Sequence, residues 1–199
     1  MFEPGVTGKR KLILKAATEV FSDKGFYGAK IEDIAQAAAI GKGTVYEYFR
    51  SKEQLFTELI KEGVQGFENM LAAEIQKAQT AREKLRCLIR VQIKFGQRYR
   101  LLAKSIMNDY IPLDDAFRSW LRQLHTHHLD MIEEIIRGGM AAREIRPIDP
   151  GIFALLFYGG MGMICSPLQE KEFTEEELEK TAGQILDYYF TGLAAAGGC

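Results

Sequence analysis

Apolar residues recur at intervals of three and four through most of this 199-residue chain. That spacing puts them on single faces of helices and leaves little room for sheet. Ile13, Ala17, Val20 and Phe21 form one stripe, closed by Gly25. Leu85, Leu88, Ile89 and Phe95 form a second, and between Asp114 and Gly138 a third holds Phe117, Trp120, Leu121, Leu124, His128, Met131, Ile132 and Ile135. Start signals punctuate the pattern. Ser51 with Gln54, Thr80 with Glu83 and Thr174 with Glu177 have capping-box spacing, and Asp149-Pro150 reads as an N-cap followed by proline at the first helical position. No long alternating β-branched run and no Asn-Gly or Asp-Gly hairpin turn competes with them. The expectation is an all-α protein of about nine helices, with frayed ends at residues 1–8 and 194–199.

A hydrophobic fraction of 47% and a charged fraction of 27% fit a soluble globular protein of one domain or two small ones, and exclude disorder, collagen-like repeats and disulfide scaffolds. Cys87, Cys165 and Cys199 are odd in number and far apart, which reads as reduced thiols in a cytosolic protein. The opening MFEPGVTGKRK has no apolar segment of a secretory signal. The longest near-apolar run, Ile152 to Cys165, is too short to cross a bilayer and holds three glycines, so it reads as a buried helix. The expected location is the cytoplasm, with no membrane partner.

The net charge of −1 argues at first against a nucleic-acid partner. It is unevenly distributed. Residues 9–52 carry nine basic and five acidic side chains, a net of +4, and residues 53–199 sum to −4. The reading is a small basic module on a larger acidic body, against a background in which solvated charges cluster by chance. Within the basic segment, residues 31–49 read IEDIAQAAAIGKGTVYEYF. Ile31, Ile34, Ala35 and Ala38 make a short helix with a small inner face. A break falls at Ala39-Ile40-Gly41, and a second short helix from Lys42 holds Val45, Tyr46 and Phe49. Two short helices joined by a tight turn make a helix-turn-helix, whose second helix offers its start to the DNA major groove. Ala35 suits the close crossing, and Val45 and Phe49 read as core.

The run Ala16-Ala17, Val20-Phe21, Gly25-Phe26, Ile31, Asp33-Ile34-Ala35, Ala38, Lys42-Gly43-Thr44-Val45-Tyr46, Tyr48-Phe49, Ser51-Lys52-Glu53 and Leu55-Phe56 resembles the N-terminal domain of the TetR family of bacterial transcriptional repressors. The resemblance covers about the first 60 residues; beyond them only length and helical pattern agree. It implies a three-helix DNA-binding domain over residues 1–50 and a helical effector-binding and dimerisation domain over residues 51–199. Gly43 would let the backbone approach DNA, and the amides beside it could receive a phosphate. Lys42 and Thr44 lie where a recognition helix meets base edges or phosphate. Tyr46 and Tyr48 suit phosphate oxygens or a thymine methyl, with packing as the alternative for Tyr48. Lys52 would be a phosphate clamp in the family pattern, and Lys9, Arg10 and Lys11 a basic arm. The segment departs from the family at three points. Ala39 replaces the turn glycine, which puts about 1 kcal/mol of strain on a left-handed alanine. Gly41 replaces a Ser or Thr cap, and Lys30 replaces a Thr cap, with a charge toward phosphate as its alternative role. Glu47 either accepts from a cytosine amine or faces the preceding helix.

In the remaining chain, Ser51 to about Ala78 reads as one helix of roughly 27 residues, about 40 Å long, with Gly63 and Gly66 as points where it can kink. The segment from Asp149 to Ser166 is apolar nearly all round, and Leu178, Ala182, Ile185, Tyr189 and Leu193 offer a matching stripe. A homodimer through these last two helices is the expected assembly, against the alternative of a monomer core. Aromatics, methionines and isolated polar groups on apolar stripes nominate an effector site from Gln92, Phe95, Tyr99, Met107, Trp120, His128, Met131, Phe157 and Met161, for a largely apolar or aromatic small molecule. Arg98, Arg100 and Lys104 could meet an anionic headgroup or form a solvated face. His125 and His128 share a helix face but lack a third ligand, so neither a metal nor a cofactor is expected. No nucleophile motif or phosphate loop points to an enzyme. The reading is a ligand-responsive repressor of a near-palindromic operator; the alternative is an effector-independent regulator or activator with the same N-terminal module.

Overall fold

A computed structural model of the chain describes residues 8–108, 114–168 and 172–191, with side chains for residues 8–97, 114–162 and 172–191. The described residues form eight helices and no strand: α1 (Gly8–Gly28), α2 (Ile31–Ala37), α3 (Lys42–Tyr48), α4 (Lys52–Ile75), α5 (Ala81–Asn108), α6 (Asp115–Ala141), α7 (Pro150–Leu168) and α8 (Glu175–Thr191). The expectation of about nine is thus corrected to eight among the described residues. The amphipathic stretches of α5 and α6 each run on as a single helix, of 28 and 27 residues. No helix among the described residues is long and apolar enough to cross a membrane. Two compact units are present, Met1–Glu68 with Tyr99–Leu121, and Asn69–Arg98 with Arg122–Cys199.

The first unit is built on an aromatic cluster. Phe21, Phe26 and Phe56 are fully buried, and the Phe56 ring meets both others edge-on at 5.1 Å. Gly25 adopts φ 68° and breaks the regular path of α1, where the sequence stripe also stops. Ala35, Ala38 and Val45 are buried where α2 and α3 cross, and Phe49 closes the core beneath α3. The turn between these helices keeps a left-handed residue although no glycine is available. Ala39 has φ 53°, the Ile40 amide donates to the Ala35 carbonyl at 3.0 Å, and the Ala39 amide donates to the Gln36 carbonyl at 3.0 Å. That is a Schellman ending, which satisfies the last carbonyls of α2. Helix α4 continues unbroken through Gly63 and Gly66.

The second unit is capped as its sequence requires. Thr80 Oγ1 accepts from the Glu83 amide at 3.1 Å, and Glu83 Oε2 accepts from the Thr80 amide at 3.1 Å. Thr174 and Glu177 repeat the exchange at 3.2 and 3.0 Å, and Asp149 Oδ1 takes the amides of Gly151 and Ile152. Helix α6 ends like α2, with Arg143 at φ 60°. Gly139 admits the start of α5, since a Cβ there would lie 2.7 Å from the Ala81 Cβ.

The face joining α5 to α8 is ionic. Arg82, Arg86, Arg90 and Lys94 stand four residues apart on α5. Arg82 pairs with Asp187, Arg86 with Glu179 at 3.0 Å, and Lys94 with Glu175 at 2.6 Å. Arg90 lies within 3.5 Å of Glu74, Glu175 and Glu179. Beside this ladder the Cys87 thiol is half-buried, and desolvation raises its pKa.

Helix α7 is not buried all round, contrary to its uniformly apolar sequence. Ala154, Phe157 and Met161 are covered, but Ile152, Leu155 and Leu156 are 59–64% exposed. Helix α8 covers only one side, where Tyr189 meets the Phe157 ring at 5.2 Å and lies over Gly160.

Candidate nucleic-acid interface

Helix α3 is seven residues long and held from one side. Val45 is fully buried against the core, while Tyr46, one position on, is 45% exposed. Gly41 and Gly43 are exposed, and a Cβ added at either would meet nothing within 4 Å. Neither glycine is therefore needed for packing inside the chain. Gly41 is the N-cap, in extended conformation and with no side chain to cap the amides. Thr44 is half-buried, and Tyr48 leans on the core of the first unit with only part of its ring exposed.

The cations of this surface differ in how far they are engaged. Lys42 Nζ donates to Glu32 Oε1 at 2.5 Å and lies 5.7 Å from the centre of the Tyr46 ring. The hydrogen bond from Lys42 holds the Glu32 carboxyl below its ordinary pKa, and Glu32 in turn raises that of Lys42. Lys30 is exposed at the N-cap of α2. A lysine has no side-chain acceptor, so only the return half of a capping box forms, with the Lys30 amide donating to Asp33 Oδ2 at 3.1 Å. Asp33 also pairs with Lys24 at 3.1 Å, and these bonds, that from Lys24 first, lower its pKa.

Two of the nominated cations are tied to the protein itself. Lys52 Nζ donates to the carbonyls of Phe26 at 2.8 Å and Ala29 at 3.0 Å, and sits 4.5 Å from the centre of the Phe26 ring. It binds the end of α1 to the start of α4. Arg10 pairs with Glu58 at 3.1 Å and with Glu62, and its guanidinium lies 5.4 Å from the centre of the Phe49 ring. Lys9, Arg10 and Lys11 are in the first turn of α1 and not in an extended arm; Lys9 is exposed. Glu32 was absent from the nominated residues. It stands ten residues before Lys42, a separation that only the α2–α3 turn closes, and no helical spacing signals it.

The nominated effector residues divide between the units. Trp120 belongs to the first, where it stacks on Phe117 at 5.2 Å. Gln92, Phe95, His128, Met131, Phe157 and Met161 belong to the second. Phe157 and Met161 are buried, and so is His128, whose Nδ1 lies 3.4 Å from the Tyr158 hydroxyl. Gln92, Phe95 and Met131 are half-buried. The side chains of Tyr99 and Met107, like those of Arg98, Arg100, Lys104, Cys165 and Cys199, lie outside the described residues. A cleft of about 660 Å³ in the second unit is lined by none of the nominated residues. Its walls come from the α6–α7 connection with Arg146 and Ile148, from Ile152 and Leu156 of α7, and from Tyr189 and Phe190 of α8.

Residues 13–59 match the family model of bacterial regulatory proteins of the tetR family, and residues 78–166 match that of tetracyclin repressor-like C-terminal domains. The HTH-type transcriptional regulator YhgD of Bacillus subtilis is 28% identical over 196 residues, spanning 94% of this chain and 97% of that protein. Among solved structures, the transcriptional regulator FadR from Bacillus subtilis in complex with stearoyl-CoA has a TM-score of 0.75 at 22% identity, covering 92% of this chain and 99% of that one. AibR in complex with isovaleryl coenzyme A and operator DNA has a TM-score of 0.71 at 24% identity, covering 92% and 98%. The structural likenesses show a shared fold. With its helix-turn-helix segment and its C-terminal body both matched, and together making up more than half of its length, the chain belongs to the TetR family of bacterial transcriptional regulators.

Proposed function

We propose that the protein is a ligand-responsive repressor that binds a near-palindromic operator as a homodimer and leaves it when a largely apolar effector binds. The observation that carries the DNA half of this reading is the one-sided seating of α3. Val45 fastens the helix from within, while Gly41, Gly43 and Tyr46 are bare on the outside with no packing reason to be glycine or exposed tyrosine. In this reading Lys42, Gly43, Thr44 and Tyr46 meet the major groove, and Lys9 and Lys30 meet flanking phosphates. Residues 1–50 act as the DNA-binding domain and residues 51–199 as the effector and dimer domain.

Support for the dimer comes from α7. Ile152, Leu155, Leu156, Gly159 and Gly162 are exposed and recur on one face, with Tyr188 of α8 65% exposed. An apolar stripe of this kind, with small residues at one end, suits a second copy related by a two-fold axis. Two recognition helices about 34–36 Å apart then fit successive major-groove faces. The effector reading draws on the six second-unit residues named above, and on FadR and AibR, whose structures hold acyl-CoA thioesters. An effector with higher affinity for the DNA-free form lowers DNA affinity by linkage.

The test begins with duplexes selected by the protein from a random pool. Gly43→Gln places a side chain where the protein has open space, so it keeps the fold and loses the selected duplex. Tyr46→Ala weakens it as well. Unchanged binding by both variants would refute the interface. Stearoyl-CoA and isovaleryl-CoA are the first effectors to titrate against the preformed complex, with release of the duplex as the expected result.

A further inference from the structure

Lys42 stands at the first position of the recognition helix, where a cation is most useful to DNA, yet its ammonium is already occupied. Glu32 Oε1 lies 2.5 Å away on α2, and the Tyr46 ring lies on the other side. This partner is not demanded by folding. Glu32 is 58% exposed and Lys42 49% exposed, neither is part of the core, and the exposed start of α2 offers Glu32 water in place of the lysine. A carboxylate at this place also faces the surface that the proposed function gives to phosphates. A DNA contact that draws the Lys42 ammonium away from Glu32 comes at the loss of a short charge-assisted hydrogen bond.

We propose, on the basis of the DNA-binding reading above, that Glu32 is a positioning residue that competes with DNA for Lys42 and so restrains the affinity of the recognition helix. Glu32 holds Lys42 over Tyr46 in the DNA-free protein. Complexes form only where the remaining contacts outweigh the broken pair. The phosphate lattice common to all DNA offers Lys42 little more than Glu32 already provides, so the pair weakens non-specific binding. The depressed Glu32 pKa and raised Lys42 pKa follow from the same contact and keep both groups charged at neutral pH.

The magnitude follows from exposure. A surface ion pair of this kind contributes up to about a factor of five, so removing it should tighten binding by about threefold for each recognition helix. The test is Glu32→Gln in the full-length protein, with affinity for a pool-selected duplex measured by fluorescence anisotropy across roughly 50–200 mM salt. Glu32→Gln should bind more tightly. In a Lys42→Gln background, Glu32→Gln should bring no gain. A gain that survives Lys42→Gln would mean that Glu32 merely repels phosphate, and would overturn the proposal. Unchanged or weaker binding by Glu32→Gln would overturn it too. Failure of the wild-type protein to select any duplex would instead refute the DNA-binding reading itself, which keeps the two failures apart.

Discussion

Ala39→Gly should stabilise the protein, although replacing alanine by glycine in an ordinary helix does the reverse. Ala39 is held at φ 53°, where the Cβ of an L-residue meets the following carbonyl oxygen, at a cost of about 1–2 kcal/mol. Glycine removes that cost but adds about 0.5–1 kcal/mol of backbone entropy to be lost on folding. The Ala39 methyl is exposed, so its deletion uncovers almost no apolar surface. The two main-chain bonds of the turn, from Ile40 to Ala35 and from Ala39 to Gln36, need no side chain and remain. The balance is a gain of about 0.5–1 kcal/mol, which in a chain of this size raises Tm by about 1–4 °C. Equilibrium urea unfolding followed by far-UV circular dichroism measures it. Ala73→Gly supplies the contrast, because Ala73 is equally exposed but lies within α4. It should lose about 0.5–1 kcal/mol. Arg143→Gly, at φ 60°, should follow Ala39→Gly. If Ala39→Gly is destabilised as much as Ala73→Gly, the turn is not strained and the reasoning is wrong.

Two further outcomes follow. Lys52→Met removes a charged donor from the Phe26 and Ala29 carbonyls while keeping an apolar stem, so it should lower stability by about 1–2 kcal/mol and leave the salt slope of DNA binding unchanged; a slope reduced by about 0.9 with full stability would instead make Lys52 a phosphate clamp. Acidification should also weaken the fold. The pKa values of Glu32, Asp33 and Glu175 are depressed by their bonds to Lys42, Lys24 and Lys94, so their stabilisation is complete above the unfolded carboxylate range and is lost as pH falls through the lowered folded values. A pH titration in which the melting temperature holds constant from neutrality to pH of about 3 would contradict this.

Local physics was legible in the chain and long-range pairing was not. The capping boxes at Thr80 and Thr174 depend on residues three apart, and each forms as its spacing requires. The stop at Gly25 and the left-handed turn at Ala39 are equally local. The engagement of Lys52 and Arg10 is different. Their partners lie 23 to 52 residues away, on the carbonyls closing α1 and on the carboxylates of α4, so a list of basic residues could not separate cations facing outward from cations holding helices together. The ionic ladder left a trace that could have been read. Arg82, Arg86, Arg90 and Lys94 repeat every four residues, and Glu175 and Glu179 keep the same interval on α8, which is the signature of two charged faces in contact. The open side of α7 left none, because its sequence is apolar on every face and exposure there depends on what else covers it.

The shortness of α3 has a consequence for how the protein responds to heat. A seven-residue helix has no stability of its own in water, where isolated helices of fewer than about 12–15 residues are marginal. The reading element therefore exists only as a product of the aromatic cluster beneath it, reached through Val45 and Phe49. Its helicity, and with it sequence discrimination, disappears in the same cooperative step that opens that cluster. A bound operator, by mass action, raises the temperature of that step for the first unit. Occupancy of DNA and integrity of the Phe21–Phe26–Phe56 core are then linked equilibria, and losing the core loses the DNA.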